Sequence, residues 1–274
     1  MTVSEAAAAP GLLAGKTCVV MGIQNPWSIA YYVAEAMGQA GARLVLTTVD
    51  ERAKRDADKL AAGFPGTLSL TCNVASDDEL DGLRAALEAE VGQVHAVVHA
   101  IGFAPRAAME GEFFATTRAD WTTAMDISAY SFVAAAQRIV PLMPVGGSLM
   151  TLSYLGADRY FPGYNVMGVA KAALEASVRY LAGDLGSKGI RVNAISAGPL
   201  KTAAARGIPG FQRMFNALAD SAPLARPFSQ KDVANAALFL ASDLSAAVTG
   251  ETLFVDNGYH AMGMAQPREQ PDEA

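Results

Sequence analysis

The chain has 274 residues, 51% of them hydrophobic, which suffices for one large core or two small ones, and it carries a formal charge of -6. That balance argues against nucleic acid or an anionic membrane as the main partner, and no apolar run approaches the length of a membrane span. Its two cysteines, Cys18 and Cys72, each sit inside an apolar run and resemble neither a disulfide pair nor a zinc set, so a reducing compartment and a cytoplasmic protein are expected.

Residues 1–12 are alanine-rich, without the cationic start or long apolar core of a secretory signal. They are expected to form a disordered, solvated tail, as are residues 265–274. Between them, short apolar runs alternate with longer stretches of helical period, the pattern of strands joined by helical crossovers. Residues 17–22 read as the first strand. Residues 28–41 carry Ile29, Ala30, Val33, Ala34, Met37 and Ala40 at helical spacing and end on Gly41. Further strands are expected at 43–48, 68–72, 96–100, 148–152, 191–195 and 252–255, which makes seven, with room for a helix in each connection. Apolar helices are expected over 116–140 and 164–185. The segment 202–227 sets Gly207, Pro209, Gly210, Pro223 and Pro227 around an amphipathic piece at 211–218 and reads as a mobile flap. No repeat or linker divides residues 13–264. The expected fold class is therefore α/β: one doubly wound, Rossmann-like domain whose seven-stranded parallel sheet carries helices on both faces.

In such sheets, ligands settle beyond the carboxyl ends of the strands. Gly22 closes the first strand, and the loop 22–29, with Ser28 as helix N-cap, reads as a phosphate cradle or as a plain strand-turn-helix. Asp50 closes the second strand, where a carboxylate either binds a ribose hydroxyl, favouring NADH, or caps the helix beginning at Glu51. Arg52, Lys54 and Arg55 lie close by and weaken the NADH argument. Asn73-Val74 and Ala100-Ile101-Gly102 hold equivalent positions after the third and fourth strands. Trp27 is expected over the cofactor loop and Trp121 as a helix anchor. His95, His99 and His260 show no ligand spacing, so no metal site is expected.

The chemistry concentrates in 154–171. Tyr164 and Lys171 are seven residues apart, nearly two helical turns, and can edge one pocket. An ammonium beside a phenol strengthens it as a donor, and the lysine's three donors can fix ribose hydroxyls. In ordinary short-chain dehydrogenases the lysine follows the tyrosine by four residues, and a serine precedes it by about a dozen. Here position 168 is glycine, Thr151 stands near the expected serine, and Tyr154 lies ten residues before Tyr164. Tyr154, Tyr164 and Lys171, set in Leu152-Ser-Tyr-Leu-Gly-Ala157 and Tyr164-Asn-Val-Met-Gly-Val-Ala-Lys171, closely resemble the NADH-dependent (type I) bacterial enoyl-acyl-carrier-protein reductases of the short-chain dehydrogenase/reductase superfamily. The likeness extends to Gly22 with Ser28-Ile29-Ala30 and to segments 101–105, 126–132, 191–199, 242–245 and 249–251.

The resemblance implies NADH as cofactor. Gly22, Ser28 and Ile29 would hold its pyrophosphate, and Val74, Ile101 and Lys171 its adenine or nicotinamide ribose. Val49 and Asn73 would stand at adenosine positions where glutamine and aspartate are common, and Leu200, Lys201, Thr202, Ala203 and Ala204 would clasp the nicotinamide end. Ala104 and Phe211 would touch substrate, with Tyr154 and Tyr164 flanking the thioester of a trans-2-enoyl-acyl-carrier protein. Hydride would add to the β-carbon, Tyr164 would meet the enolate oxygen, and water or a relay would protonate the α-carbon. A homotetramer is implied as well. Phe211, Met214 and Phe215 are expected to order over the acyl chain, or to pack a surface helix on the sheet. A basic rim of Lys201, Arg206 and Arg213 is compatible with an acidic carrier. Reduction of another conjugated enone or a ketone, and a silent NADH-binding protein, remain alternatives; Tyr154 argues against ordinary carbonyl reduction, and Tyr164 with Lys171 against silence.

Overall fold

Seven apolar runs become strands in the computed structural model, which describes residues 11–202 and 210–264. They are β1 (Thr17–Met21), β2 (Arg43–Thr48), β3 (Leu68–Thr71), β4 (Ala96–His99), β5 (Ser148–Ser153), β6 (Arg191–Ala197) and β7 (Thr252–Val255). The expectations for residues 1–10 and 265–274, and for Ala203, Ala204, Arg206, Gly207 and Pro209, fall outside the described residues.

All seven strands pair in parallel, in the order β3-β2-β1-β4-β5-β6-β7. Met21 lies opposite both Thr47 and His99, so the carboxyl ends of β1, β2 and β4 share one edge. The chain steps outward from β1 to β3 and then returns to place β4 on the other side of β1. This reversal opens a crevice beyond β1 and β4 where the loops diverge to opposite faces.

The helices that cover the sheet are α1 (Ile29–Gln39), α2 (Glu51–Ala61), α3 (Asp77–Glu90), α4 (Arg106–Met109), α5 (Arg118–Met125), α6 (Ser131–Ile139), α7 (Asn165–Gly186), α8 (Phe211–Ser221) and α9 (Gln230–Ala241). Strand alternation divides the interior into two cores. Cys18 and Val20 of β1 face one core with residues of α1, α2 and α9, while Val19 and Met21 face the other with residues of α3, α6 and α7. Among the described residues no helix is long and apolar enough to cross a membrane.

The helix expected over 116–140 is one helical course with a change of pitch. Between α5 and α6 the chain makes a π turn, Asp126–Tyr130, in which the Ser131 hydroxyl donates to the Ile127 carbonyl at 2.7 Å. At the far end of the sheet the buried Arg191 guanidinium donates to Leu240 O (2.9 Å), Ser242 O (3.2 Å) and Ser245 Oγ (2.8 Å), satisfying carbonyls freed at the end of α9.

Candidate active site

Tyr164 sits at the entrance to α7, just before Asn165, whose φ of 39° lies in the left-handed region that asparagine tolerates. The Asn165 amide secures this corner by donating to Gly111 O at 3.3 Å. From there one face of α7 runs Tyr164, Met167, Lys171, and the same stripe continues into the core as Leu174, Val178, Ala182 and Leu185. The first three line a cavity of about 540 Å³ at the carboxyl edge of β1, β4 and β5.

The seven-residue spacing has a packing cause. The turn Leu155–Ala157 lies against the start of α7, and a Cβ on Gly168 would come 2.8 Å from the Gly156 carbonyl oxygen. A Cβ on Gly156 would in turn run into the Tyr164 ring. No side chain fits at position 168, where ordinary short-chain dehydrogenases carry lysine, and the amine comes from the next turn on the same face.

Lys171 is buried, and its ammonium donates to Leu152 O at 2.7 Å and Ile101 O at 3.5 Å. Burial pushes the ammonium down to about 8, and the Glu175 carboxylate, one turn further along α7, opposes that shift. The Glu175 carboxyl, itself raised above the ordinary carboxylate range by burial, accepts from the Ser153 hydroxyl. Tyr164 differs from the sequence expectation of a phenol strengthened by the neighbouring ammonium. Burial, with a smaller contribution from Glu175, raises its phenol instead, and the group, uncharged at neutral pH, serves as a hydrogen-bond donor. Tyr154 packs edge-on against Tyr164, with centroids 4.9 Å apart at 66°, and its phenol is also raised by burial. Its buried hydroxyl has no hydrogen-bond partner among the described residues.

Thr151, near the expected serine, is part of a buried polar group beneath the cavity. Its hydroxyl lies 3.0 Å from His99 Nδ1 while Ser131 Oγ lies 2.8 Å from Nε2, and burial with the Lys171 charge holds His99 neutral, pushed down to about 3. Asp50 accepts from the Ala53 N–H at 2.8 Å and so caps α2. Trp27 does not cover the cofactor loop. It is 64% exposed, because the turn before α1 directs the indole outward while the main chain is bonded to Asn25 and Gln230.

The cavity brings together Gly22, Ser28, Ile29, Ile101, Ala104, Tyr154, Tyr164, Lys171, Leu200, Thr202 and Phe211. Val49, Asn73 and Val74 lie outside it, in the loops after β2 and β3, and Lys201 instead sets its ammonium 4.5 Å from the centre of the Phe215 ring. Met109, Leu152 and Met167 are lining residues that the sequence reading did not single out. The three-residue step from Tyr164 marks Met167, whereas Leu152 acts through its backbone and leaves no signal. Met109 and Met214 also line an adjoining cavity of about 670 Å³ with Leu155, Phe161, Pro162 and Met262.

A dinucleotide suits these residues. Gly22 has φ 90°, and a Cβ there would sit 2.5 Å from Ala100 O, so the first turn requires glycine. Beyond it α1 begins at Ser28, which accepts from Tyr31 N at 3.3 Å, and the free N–H groups of a helix start favour a phosphate. Among the described residues no three His, Cys, Asp or Glu side chains cluster to hold a metal ion.

Comparison with known proteins gives a concordant result. Residues 22–260 match the family described as Enoyl-(Acyl carrier protein) reductase. The chain is 47% identical to the NADH-dependent enoyl-acyl-carrier-protein reductase FabI of Bacillus cereus, over 92% of this chain and 99% of that protein. It is 48% identical to the NADH-dependent enoyl-acyl-carrier-protein reductase 1 of Rhizobium meliloti, over 94% and 95%. A crystal structure of the Bacillus cereus reductase with NADP+ and an indole naphthyridinone superposes with a TM-score of 0.90 at 47% identity, covering 92% of this chain and 99% of that one.

Proposed function

The chain belongs to the enoyl-(acyl carrier protein) reductase family, and on that premise we propose that it reduces the trans-2 double bond of enoyl-acyl-carrier-protein thioesters with NADH, with Tyr164 as the oxyanion donor. The observation that carries this reading is the shared face of α7, which aims Tyr164 and Lys171 into the cavity at the β1–β4 crevice, opposite Gly22 and Ser28.

When bound, NADH supplies a hydride to the β-carbon of the enoyl thioester. Negative charge then gathers on the thioester oxygen, which needs a donor already in place. Tyr164, a neutral phenol that burial raises further above its ordinary range, offers its hydroxyl as a hydrogen-bond donor without ionising. Lys171 has spent donors on Leu152 and Ile101, which fixes its direction and leaves a further N–H for a ribose hydroxyl. Ser28 with Ile29 and the Gly22 turn take the pyrophosphate, and Leu200, Lys201 and Thr202 the nicotinamide end, with Ala203 and Ala204 beyond the described residues assigned alongside them. Val49, Asn73 and Val74, along the same sheet edge, take the adenosine. The Tyr154 ring restrains Tyr164, and Ala104 and Phe211 border the thioester. The adjoining cavity, whose apolar wall of Met109, Leu155, Phe161, Met214 and Met262 is joined by Arg159 and Arg213, suits the acyl chain, with Met214 of α8 between the two spaces.

Residues 13–264 act as one catalytic domain in this reading, with 202–227 as the substrate flap. Exposed aromatic side chains at Trp121, Tyr130 and Tyr180, on α5, the π turn and α7, support a homotetramer. Lys201 and Arg213 support an acidic carrier protein as partner. Two free, buried cysteines, their thiols pushed by burial to about 12 (Cys18) and about 11 (Cys72), support a cytoplasmic location.

The test follows NADH oxidation with trans-2-enoyl thioesters of several chain lengths, beside simple ketones and with NADPH in parallel. Turnover of the enoyl thioesters with NADH is expected. Turnover confined to ketones would overturn the assignment.

A further inference from the structure

Ser128 lies in the π turn between α5 and α6 and is fully buried. Its hydroxyl accepts from the Phe103 N–H at 2.9 Å and donates to the Phe103 carbonyl at 2.9 Å, so one side chain satisfies both backbone groups of a loop residue. Three residues on, the Ser131 hydroxyl donates to Ile127 O at 2.7 Å, and its oxygen lies 2.8 Å from Nε2 of His99, the last residue of β4. The π turn and the first residue of α6 thus hold this stretch at His99 and at Phe103.

That loop shapes the pocket. Ile101 O accepts from the Lys171 ammonium, and Gly102 approaches so closely that a Cβ there would lie 3.3 Å from Lys171 Nζ. Ala104, directly after Phe103, lines the same cavity as Phe103 itself. A π turn adds a residue to the helical course and so turns the side chains after it by about 100° relative to an unbroken α-helix.

We propose that Ser128 is a positioning residue for the reduction: by clamping the Phe103 backbone, it fixes the 101–104 loop that sets Lys171 and borders the substrate. This rests on the reductase reading above. Misplacing a binding group by about 1 Å can cost up to about 100-fold in rate, and an unmade hydrogen bond to a buried group costs about tenfold or more in an equilibrium. The loop is short and glycine-containing, so losing both bonds lets it drift.

The test compares wild type with Ser128→Ala, Ser128→Cys and, as a control in the same helical course, Thr122→Ala, whose exposed hydroxyl donates to Arg118 O of its own helix. NADH affinity is read by fluorescence titration, and kcat and KM with an enoyl thioester are measured well below each thermal midpoint. Ser128→Ala is expected to weaken NADH binding about tenfold and to lower kcat/KM by up to about 100-fold. Ser128→Cys, close in shape but a weaker donor and acceptor, should fall between, with Thr122→Ala like wild type. A lower thermal midpoint for Ser128→Ala with wild-type NADH affinity and kcat/KM would overturn the proposal, leaving Ser128 a purely structural residue. Should Ser128→Ala not fold, Ser128→Cys decides on the same criterion. A wild-type protein inert toward every enoyl thioester would remove the reductase reading, while the NADH titrations would still judge the clamp.

Discussion

Tyr154 and Tyr164 touch edge to face in one pocket wall. A buried hydroxyl without a partner costs free energy, so Tyr154→Phe should stabilise the cofactor-free protein by about 1 kcal/mol, seen as a raised thermal midpoint. A lowered midpoint would mean that the hydroxyl is satisfied in solution. Tyr164→Phe should lower turnover by about 10² to 10³-fold while sparing NADH affinity, because the lost donor serves the charge that develops during reaction. Lys171 titrates in a measurable window. Its ammonium is depressed from 10.5 to about 8, so between those values the unfolded chain binds more protons than the folded one. The contribution to stability is present above 10.5 and is lost as pH falls through about 8. NADH affinity should move the other way, weakening as pH rises past about 8 and the ammonium discharges. Lys171→Met should bind NADH weakly at neutral pH and lose that pH dependence; unchanged affinity in a fluorescence titration would remove Lys171 from the cofactor site. The pair was legible from helical spacing and its surrounding motif. The upward shift of the Tyr164 phenol was not, because it comes from burial and, to a smaller extent, from Glu175, and burial appears only in the folded chain.

Elements show where local pattern suffices. The strand runs at 43–48 and 252–255 match β2 and β7, since apolar, β-branched segments between turn residues have few other solutions. Asp50 had two readings, cap and ribose ligand, and the N-cap on α2 occupies one of its oxygens. The helix expected over 116–140 forms as one helical course over 118–139, with a π turn at its middle. The contacts of Ser128 and Ser131 with a distant loop and strand are encoded in no hydrophobic period. Gly168 is the converse case, a visible departure whose reason required the fold. Gly168→Ala should destabilise the protein by about 1–3 kcal/mol, since its Cβ would press on the Gly156 carbonyl at 2.8 Å. Thermal unfolding checks the cost, and a wild-type midpoint would show that the turn at Leu155–Ala157 yields freely.

At the scale of the molecule, strand count and the doubly wound arrangement followed from alternation and crossover length, but strand order did not. The sheet reversal between β1 and β4 explains why Gly22, Ile101 and Lys171 share a cavity while Val49 and Asn73 lie further out along the edge. A cofactor spanning both regions would join what the cavity alone keeps separate. The most direct measurement is a crystal structure of the protein with NADH and an unreactive enoyl-thioester analogue. The account predicts the nicotinamide in the β1–β4 crevice, its ribose bonded to the Lys171 ammonium and the thioester oxygen accepting from the Tyr164 hydroxyl. A nucleotide bound with Tyr164 and Lys171 turned away from the nicotinamide would contradict it.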